Sequence, residues 1–99
     1  MKFEFADPDL EAVYYDRNAS LGHSPAINKG FRKVMGFIAS AHDELDLRRM
    51  KGLHYHKLKG DREHQHGIDI TDKWRLVVER REEEGSTGLL IISVEDYHR

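Results

Sequence analysis

Two different periods of apolar residues divide the chain into an N-terminal and a C-terminal part. Phe3 and Phe5 alternate with polar residues, and an aspartate followed by proline at residues 7–8 is typical of a helix start. The same kind of signal recurs at residues 24–25, where serine precedes proline. Apolar residues then follow at helical spacing; they are Ile27, Phe31, Val34, Met35, Ile38 and Ala39. With a glycine-containing turn at residues 18–23, the pattern predicts a hairpin of two antiparallel helices.

The second predicted helix contains two glycines, Gly30 and Gly36. A glycine inside a helix costs about 1 kcal/mol relative to alanine, so its presence calls for a packing reason. We therefore expect both glycines to lie where the second helix packs closely against the first.

Beyond residue 47 the apolar period becomes that of β-strands. Four segments predict strands: residues 53–58, 66–70, 74–78 and 89–94. Residues 43–47 are interpreted as a polar connector, and residues 82–88 as an exposed hairpin loop. No helix separates the four strands, which favours an antiparallel sheet. Together with the short strand at Phe3 and Phe5, the prediction is one α+β domain over residues 1–99, with a helical hairpin on a mostly antiparallel sheet of four to five strands.

Composition narrows the class of protein. The chain has 99 residues, of which 38% are hydrophobic and 34% charged, the balance of a small soluble domain. It has no cysteine, which excludes disulfides and thiolate metal sites. No apolar stretch approaches the length of a membrane span, and the first five residues are too short and too acidic for a signal peptide. We expect a cytoplasmic protein without a membrane partner.

Charge is unevenly distributed along the chain. The net charge of −2 argues by itself against nucleic-acid binding. Residues 48–81, however, contain ten lysines and arginines against five acidic residues, together with four of the seven histidines. The flanking segments are both acidic. This distribution predicts one positive face, although a solvated basic surface without function would show the same pattern.

The end of the last predicted strand carries three groups that suit acid–base and stacking chemistry, and basic residues of the preceding strands complement them. The terminal trio is Asp96, Tyr97 and His98, and the upstream candidates are His56, Lys57, Lys59, Arg62, Arg75 and Arg80. Cleavage of RNA by its own 2′-hydroxyl requires a base, an acid and cations for the extra charge at phosphorus. Histidine suits both proton roles, and lysine and arginine bind phosphate. Each residue also has a structural alternative, and Trp74 and Tyr97 are common packing residues.

A metal site is the weaker interpretation of the histidines. His54 and His56 are two residues apart, as are His64 and His66, so each pair would share a strand face. Such pairs are common on histidine-rich surfaces, and no carboxylate at ligand spacing completes them. We therefore expect no metal and no other cofactor.

The candidate residues belong to a longer pattern that runs through most of the chain. It consists of Leu-His-Tyr-His-Lys-Leu-Lys-Gly-Asp-Arg at residues 53–62, Gln-His-Gly-Ile at 65–68, Trp-Arg-Leu at 74–76 and Asp-Tyr-His at 96–98. In this combination the chain resembles the HigB branch of the RelE/ParE toxin superfamily. The resemblance implies a RelE-like fold and the toxin of a type II toxin–antitoxin system, an endoribonuclease that cleaves messenger RNA on the ribosome without a metal. It also implies a helix-turn-helix antitoxin of the HigA type as partner.

The resemblance assigns roles to individual residues. His56 and His98 become the proton-transfer groups, Lys59 and Arg75 stabilise phosphate, Asp96 orients His98 or binds the nucleotide, and Tyr97 positions or stacks on a base. Substrate contacts are expected from Lys57, Arg62, His66, Trp74 and Arg80. If His56 and Lys59 act together, Lys59 has to lie past the end of its strand, because strand alternation would otherwise separate the two side chains.

One property departs from the RelE-like pattern. Toxins of that superfamily are generally basic, whereas this chain has a sequence pI near 6.4. A lower pI is consistent with weaker ribosome affinity or a more localised basic face. The alternative function is a non-catalytic binding protein on the same fold, such as a ParE-like inhibitor of DNA gyrase or an inactive toxin.

Overall fold

The chain folds as a layer of helices on one face of a β-sheet. The computed structural model describes residues 1–62 and 64–97, and all statements about structure refer to these residues. Their helices are α1 (Pro8–Tyr15), α2 (Pro25–Ser40) and α3 (Glu44–Arg49), with 3₁₀ turns at Lys51–Leu53 and Gly60–Arg62; their strands are β1 (Phe3–Phe5), β2 (His56–Lys57), β3 (Gln65–Asp69), β4 (Trp74–Glu83) and β5 (Ser86–Asp96). The predicted α+β class is confirmed.

The strands form a sheet in the order β1-β5-β4-β3-β2. Strand β1 pairs with β5 in parallel, and the other neighbours are antiparallel. The prediction of a mostly antiparallel sheet is therefore correct, and the described strands number five. No helix in residues 1–62 and 64–97 has the length and apolarity that a bilayer crossing requires.

The two long helices begin where the sequence signals lie. Asp7 caps α1 by accepting a hydrogen bond from the backbone N–H of Asp9 at 2.8 Å, and a proline follows each cap position. The Arg32 side chain on α2 donates to backbone carbonyl oxygens at and beyond the end of α1, including that of Val13 at 3.0 Å. These hydrogen bonds connect the two helices of the predicted hairpin.

The core lies between the helices and one face of the sheet. Fully buried side chains of α2 belong to one apolar cluster with those of the central strands; the cluster includes Phe31, Met35, Ile38, Ile68, Leu76, Val78, Leu89 and Ile91. Burying a side chain of this size stabilises the fold by roughly 1.5–3 kcal/mol. Because alternate residues of a strand point to opposite faces, the neighbours of these core residues project on the other face of the sheet.

The first predicted strand of the C-terminal part is much shorter than expected. Residues 51–53 form a 3₁₀ turn, His54 has left-handed backbone geometry with φ 49°, and only His56–Lys57 pairs with β3. The N–H groups of Leu53 and His54 are satisfied inside the turn, by the carbonyls of Met50 and Lys51. Leu53 and Tyr55 are both buried, so their spacing imitates strand alternation without requiring a ladder.

Two other local predictions were wrong. Residues 43–47, interpreted as a connector, mostly belong to helix α3, which Asp43 caps through the N–H of Asp46 at 3.1 Å. The segment 82–88 is almost entirely strand, because β4 and β5 pair up to Glu83 and Ser86 and leave a two-residue turn. Both turn residues, Glu84 and Gly85, have positive φ, as type I′ hairpin turns require. Backbone pairing needs no apolar side chains, so the sequence pattern did not show this extension.

The glycines of α2 also differ from the expectation. A Cβ added at Gly30 would lie 2.6 Å from Cγ2 of Ile70, in the β3–β4 connection, and not against α1. A Cβ at Gly36 would meet nothing within 4 Å.

The two glycines give opposite expectations for substitution by alanine. Gly30→Ala should destabilise the protein by about 1–2 kcal/mol, because overpacking against Ile70 exceeds the gain in helix propensity. Gly36→Ala should stabilise it by up to about 1 kcal/mol. Urea denaturation of both variants measures the difference, and equal effects of the two substitutions would contradict the packing role of Gly30.

Candidate active site

A groove lies on the face of the sheet opposite the helices, under the connection between β2 and β3. Its volume is about 330 Å³, and its described lining residues are His56, Lys57, Leu58, Lys59, Arg62 and Arg75. All of these except Leu58 are residues that the sequence predicts for the site. Strand β2 ends at Lys57, so Lys59 lies past the strand end, which is the condition for His56 and Lys59 to share a site.

Local structure shapes the groove around His56. Leu58 is buried and its N–H donates to the carbonyl of Gln65 at 2.9 Å, which turns the chain back over the sheet. The His56 ring lies over Gly67, where an added Cβ would be 3.0 Å from ring atom Cε1 and 3.2 Å from Leu58 Cδ2. Gly67 therefore leaves the space that the His56 ring occupies.

The hydrogen bond of His56 determines which of its ring nitrogens carries the hydrogen in the neutral ring. Its Nδ1 lies 2.7 Å from the carbonyl oxygen of His54. Because a carbonyl oxygen only accepts, Nδ1 carries the hydrogen, and Nε2 of the neutral ring has the free lone pair. The His54 ring stacks on the His56 ring with centroids 4.4 Å apart. The His56 ring is thus oriented by the backbone carbonyl of His54, two residues before it, as a proton-transfer group has to be.

Tyr97 continues from the end of β5 into the same region. Its backbone N–H donates to the Lys73 carbonyl at 2.7 Å, and its ring is nearly parallel to that of His56, with centroids 6.4 Å apart. The Tyr97 hydroxyl donates a hydrogen bond to the Asp69 carboxylate. Burial, together with this hydrogen bond and the Asp69 charge, raises the pKa of Tyr97 to about 12. The phenol is therefore protonated at neutral pH and suits positioning or stacking better than proton abstraction.

Arg75 is a groove cation whose side chain is held in a fixed position by its surroundings. Its side chain is only 19% exposed, and its guanidinium carbon lies 4.9 Å from the Tyr97 ring centroid. The buried Nε has no hydrogen-bond partner among the described residues, and a terminal nitrogen lies 3.9 Å from Glu95. Arg75 borders the groove, so the exposed part of its side chain can meet a phosphate oxygen through charge-assisted hydrogen bonds.

Arg62, in contrast, is already engaged. Its two terminal nitrogens donate to the two carboxylate oxygens of Glu95, both at 2.7 Å, and its Nε donates to Gln65 Oε1 at 3.0 Å. Ser93 Oγ donates to the same carboxylate at 2.8 Å. The hydrogen bonds from Arg62 lower the pKa of Glu95 although partial burial opposes them, and Glu95 in turn raises the pKa of Arg62. An ionised carboxylate therefore occupies part of the expected phosphate site.

Two predicted substrate contacts lie on the opposite, helix-facing side of the sheet. His66 is the register partner of Val78 and is buried. Its ring stacks on that of Tyr55 with centroids 4.7 Å apart. Burial lowers the pKa of the His66 imidazole. Arg80 Nε lies 2.8 Å from a carboxylate oxygen of Glu44 on α3. Neither residue is among the described residues that line the groove.

The remaining predicted residues lie at the ends of β4 and β5. Trp74 and Asp96 are register partners, and strand alternation turns both away from the face that carries Arg75 and Glu95. The Trp74 ring packs 4.5 Å from the ring of His23. His98 lies outside the described residues. The structure thus places His56, Lys57, Lys59, Arg62 and Arg75 at one groove with Tyr97 beside it.

Sequence reasoning missed the acidic members of the site. Asp69 holds the Tyr97 hydroxyl and lies 3.4 Å from His54 Nδ1, and Glu95 holds Arg62. A signal for both existed. The tight connection after residue 70 sets the register that pairs Asp69 with Arg75, and Arg75 in turn pairs with Glu95.

Comparison with known proteins supports the fold. No sequence-defined protein family matches the chain, and no curated protein sequence matches it. The architecture is that of RelE/YoeB-like toxins. In particular, it is similar to the solved structure of a YoeB/ParE toxin from Agrobacterium tumefaciens, with a TM-score of 0.57 over 98% of this chain and 99% of that one. The two sequences are 13% identical, so this similarity establishes the fold and not the activity.

Proposed function

We propose that the chain is the toxin of a type II toxin–antitoxin system, of the HigB branch, and that it cleaves messenger RNA on the ribosome. The observation that carries the proposal is the groove, in which an oriented histidine, His56, lies among the cations Lys59 and Arg75. A fold shared with a YoeB/ParE toxin supports it. The sequence resemblance includes the same groove residues.

The chemistry proposed for the groove uses side chains only. The 2′-hydroxyl of the RNA attacks the adjacent phosphorus, and the bond from phosphorus to the 5′-oxygen breaks. His56, through Nε2, and His98 divide the two proton transfers, one accepting the 2′ proton and the other protonating the 5′-oxygen. Arg75 and Lys59 stabilise the charge that develops on the phosphate oxygens, and Tyr97 positions the nucleotide.

The proposed partners follow from this activity. The substrate is mRNA held by the ribosome, which implies a cytoplasmic location, and the inhibitor is a helix-turn-helix antitoxin of the HigA type. The cations that line the groove, Lys57, Lys59, Arg62 and Arg75, supply the local positive charge that RNA binding requires on an acidic protein.

A non-catalytic function of the ParE type is the second candidate. It is favoured by one observation, the occupation of Arg62 by Glu95, which reduces the charge available for RNA. A protein that only binds a partner would not need the oriented His56, and the nuclease is therefore preferred.

Induction in a bacterial host separates the two functions. A nuclease is expected to stop protein synthesis before DNA synthesis and to leave transcripts cut within coding regions, whereas a gyrase inhibitor would first trigger the DNA damage response. His98→Ala should abolish growth arrest, and His42→Ala, a change of an exposed histidine outside the groove, should leave it intact. A fully toxic His98→Ala protein would overturn the catalytic assignment.

A further inference from the structure

We infer that Glu95 is an internal counter-anion, which occupies the arginines of the groove in the free protein and gives way when a substrate phosphate binds. This inference rests on the proposed RNA-binding function of the groove. It assigns to Glu95 the role of weakening RNA binding, so that the resting protein holds RNA less tightly than its groove cations would allow.

The contacts of the Glu95 carboxylate resemble those that arginine makes with a phosphate group. Arg62 grips it through two parallel hydrogen bonds of 2.7 Å, the arrangement that guanidinium groups also use for phosphate. Oε1 of Glu95, one of the two oxygens that Arg62 binds, lies 3.9 Å from a terminal nitrogen of Arg75. One carboxylate thus lies between the two arginines that line the groove.

An external phosphate has access to this position. The Arg62 and Glu95 side chains are 36% and 30% exposed, so the pair is partly open to solvent and not in the core, and Arg62 itself lines the groove. Besides Arg62, the cations that line the groove are Lys57, Lys59 and Arg75. Ser93 donates to Glu95 and would still satisfy one carboxylate oxygen after Arg62 turned to a phosphate.

The competing explanation is structural. The Arg62–Glu95 pair joins the 3₁₀ turn Gly60–Arg62 to β5, so it would hold the wall of the groove in place. The two roles predict opposite results. If Glu95 only positions Arg62, its neutralisation should weaken RNA binding, whereas loss of a competing anion should strengthen it.

The test is the affinity of Glu95→Gln for a short 2′-O-methyl RNA, which cannot be cleaved through its 2′ position, measured by fluorescence anisotropy over a range of salt concentrations. We expect binding about tenfold tighter than that of the wild type, because a charge-assisted contact of Arg62 becomes available. The salt dependence should also steepen by about 0.7 in the log–log slope, the value for one more phosphate contact on a single strand.

Glu79→Gln is the matched control. Glu79 lies on the same sheet face and its substitution changes the charge equally, but its ion pair is with Arg81 at 3.9 Å. It lies four residues along β4 from Arg75, about 13 Å at strand spacing. This variant should gain little affinity, and equal gains in both variants would show a general charge effect and overturn the inference.

A double substitution tests whether Arg62 is the arginine that produces the gain in RNA affinity. In Arg62→Gln/Glu95→Gln the gain should disappear, and its persistence would overturn the role of Arg62. Unchanged or weaker RNA binding by a Glu95→Gln protein with wild-type thermal stability would overturn the inference as a whole. The binding assay is independent of cleavage. If Glu95→Gln binds RNA more tightly but the wild type does not cleave natural RNA on ribosomes, the result counts against the nuclease function alone. If the wild type cleaves RNA but Glu95→Gln gains no affinity, the result counts against the role of Glu95 alone.

Discussion

Replacement of His56 by alanine is expected to lower the rate of mRNA cleavage on programmed ribosomes by about 10²- to 10⁴-fold, the usual contribution of a positioned acid or base. Binding should change little, because the groove cations remain. The physical reason is that Nδ1 of His56 donates to the His54 carbonyl at 2.7 Å, which leaves Nε2 of the neutral ring as the nitrogen that can exchange a proton with the substrate. Single-turnover cleavage of a 5′-labelled message, with ribosome binding measured in parallel, checks both parts.

The control for this prediction is His42→Ala, in which an exposed histidine outside the groove is lost. It should cleave like the wild type. A His56→Ala protein that is folded and binds ribosomes, yet cleaves at the wild-type rate, would exclude His56 from proton transfer. Loss of binding without a change in the rate of the bound complex would make it a substrate contact instead.

Replacement of Arg75 by glutamine is expected to lower the cleavage rate by about 10²- to 10³-fold, comparable to the removal of one donor that stabilises an anionic transition state. Arg75 combines a fixed position against the Tyr97 ring, 4.9 Å from its centroid, with a buried Nε that has no partner among the described residues. The guanidinium of Arg75 is thus held in place before the substrate arrives. Arg75→Lys should recover only part of the rate, because lysine lacks the fork of donors.

Arg81→Gln is the matched control for Arg75→Gln. It removes the same charge from the same strand and the same face, but from a side chain that is 51% exposed and beyond the groove. Thermal unfolding of both variants separates a catalytic effect from a loss of stability. If both variants lose the same small part of the rate, Arg75 contributes only through the general positive charge of the protein and not as a positioned donor.

Much of the fold could be predicted because its signals are local. The two helix starts coincide with aspartate or serine followed by proline, and α2 shows its buried face in the sequence. Helix α3 could not be predicted in this way, because it has six residues and buries only Leu47. The hairpin extension to Glu83 and Ser86 is held by backbone pairing, which a hydrophobic pattern does not show.

The candidate site was predictable where neighbouring strands bring residues together. His56 and Arg75 converge because β3 alone lies between β2 and β4. Strand alternation would also have placed Arg80 correctly, since residues 75 and 80 differ by an odd number and must face opposite sides. Its actual partner, Glu44, belongs to the short helix that the sequence did not reveal. The contact of Glu95 with Arg62 joins a turn to a strand 33 residues away, a pairing that no local pattern specifies.

The position of β5 in the sheet has a consequence for synthesis of the protein. β5 lies between β1 and β4, and it pairs Phe3 with Leu89 across 86 positions of sequence. Contacts of such separation form late, because the intervening chain has to be closed first. A nascent chain that lacks β5 has neither a partner for β1 nor the strand that presents Tyr97 to His56. Glu95 and Tyr97 therefore join the groove residues of β2 to β4 only after nearly the whole described chain has emerged.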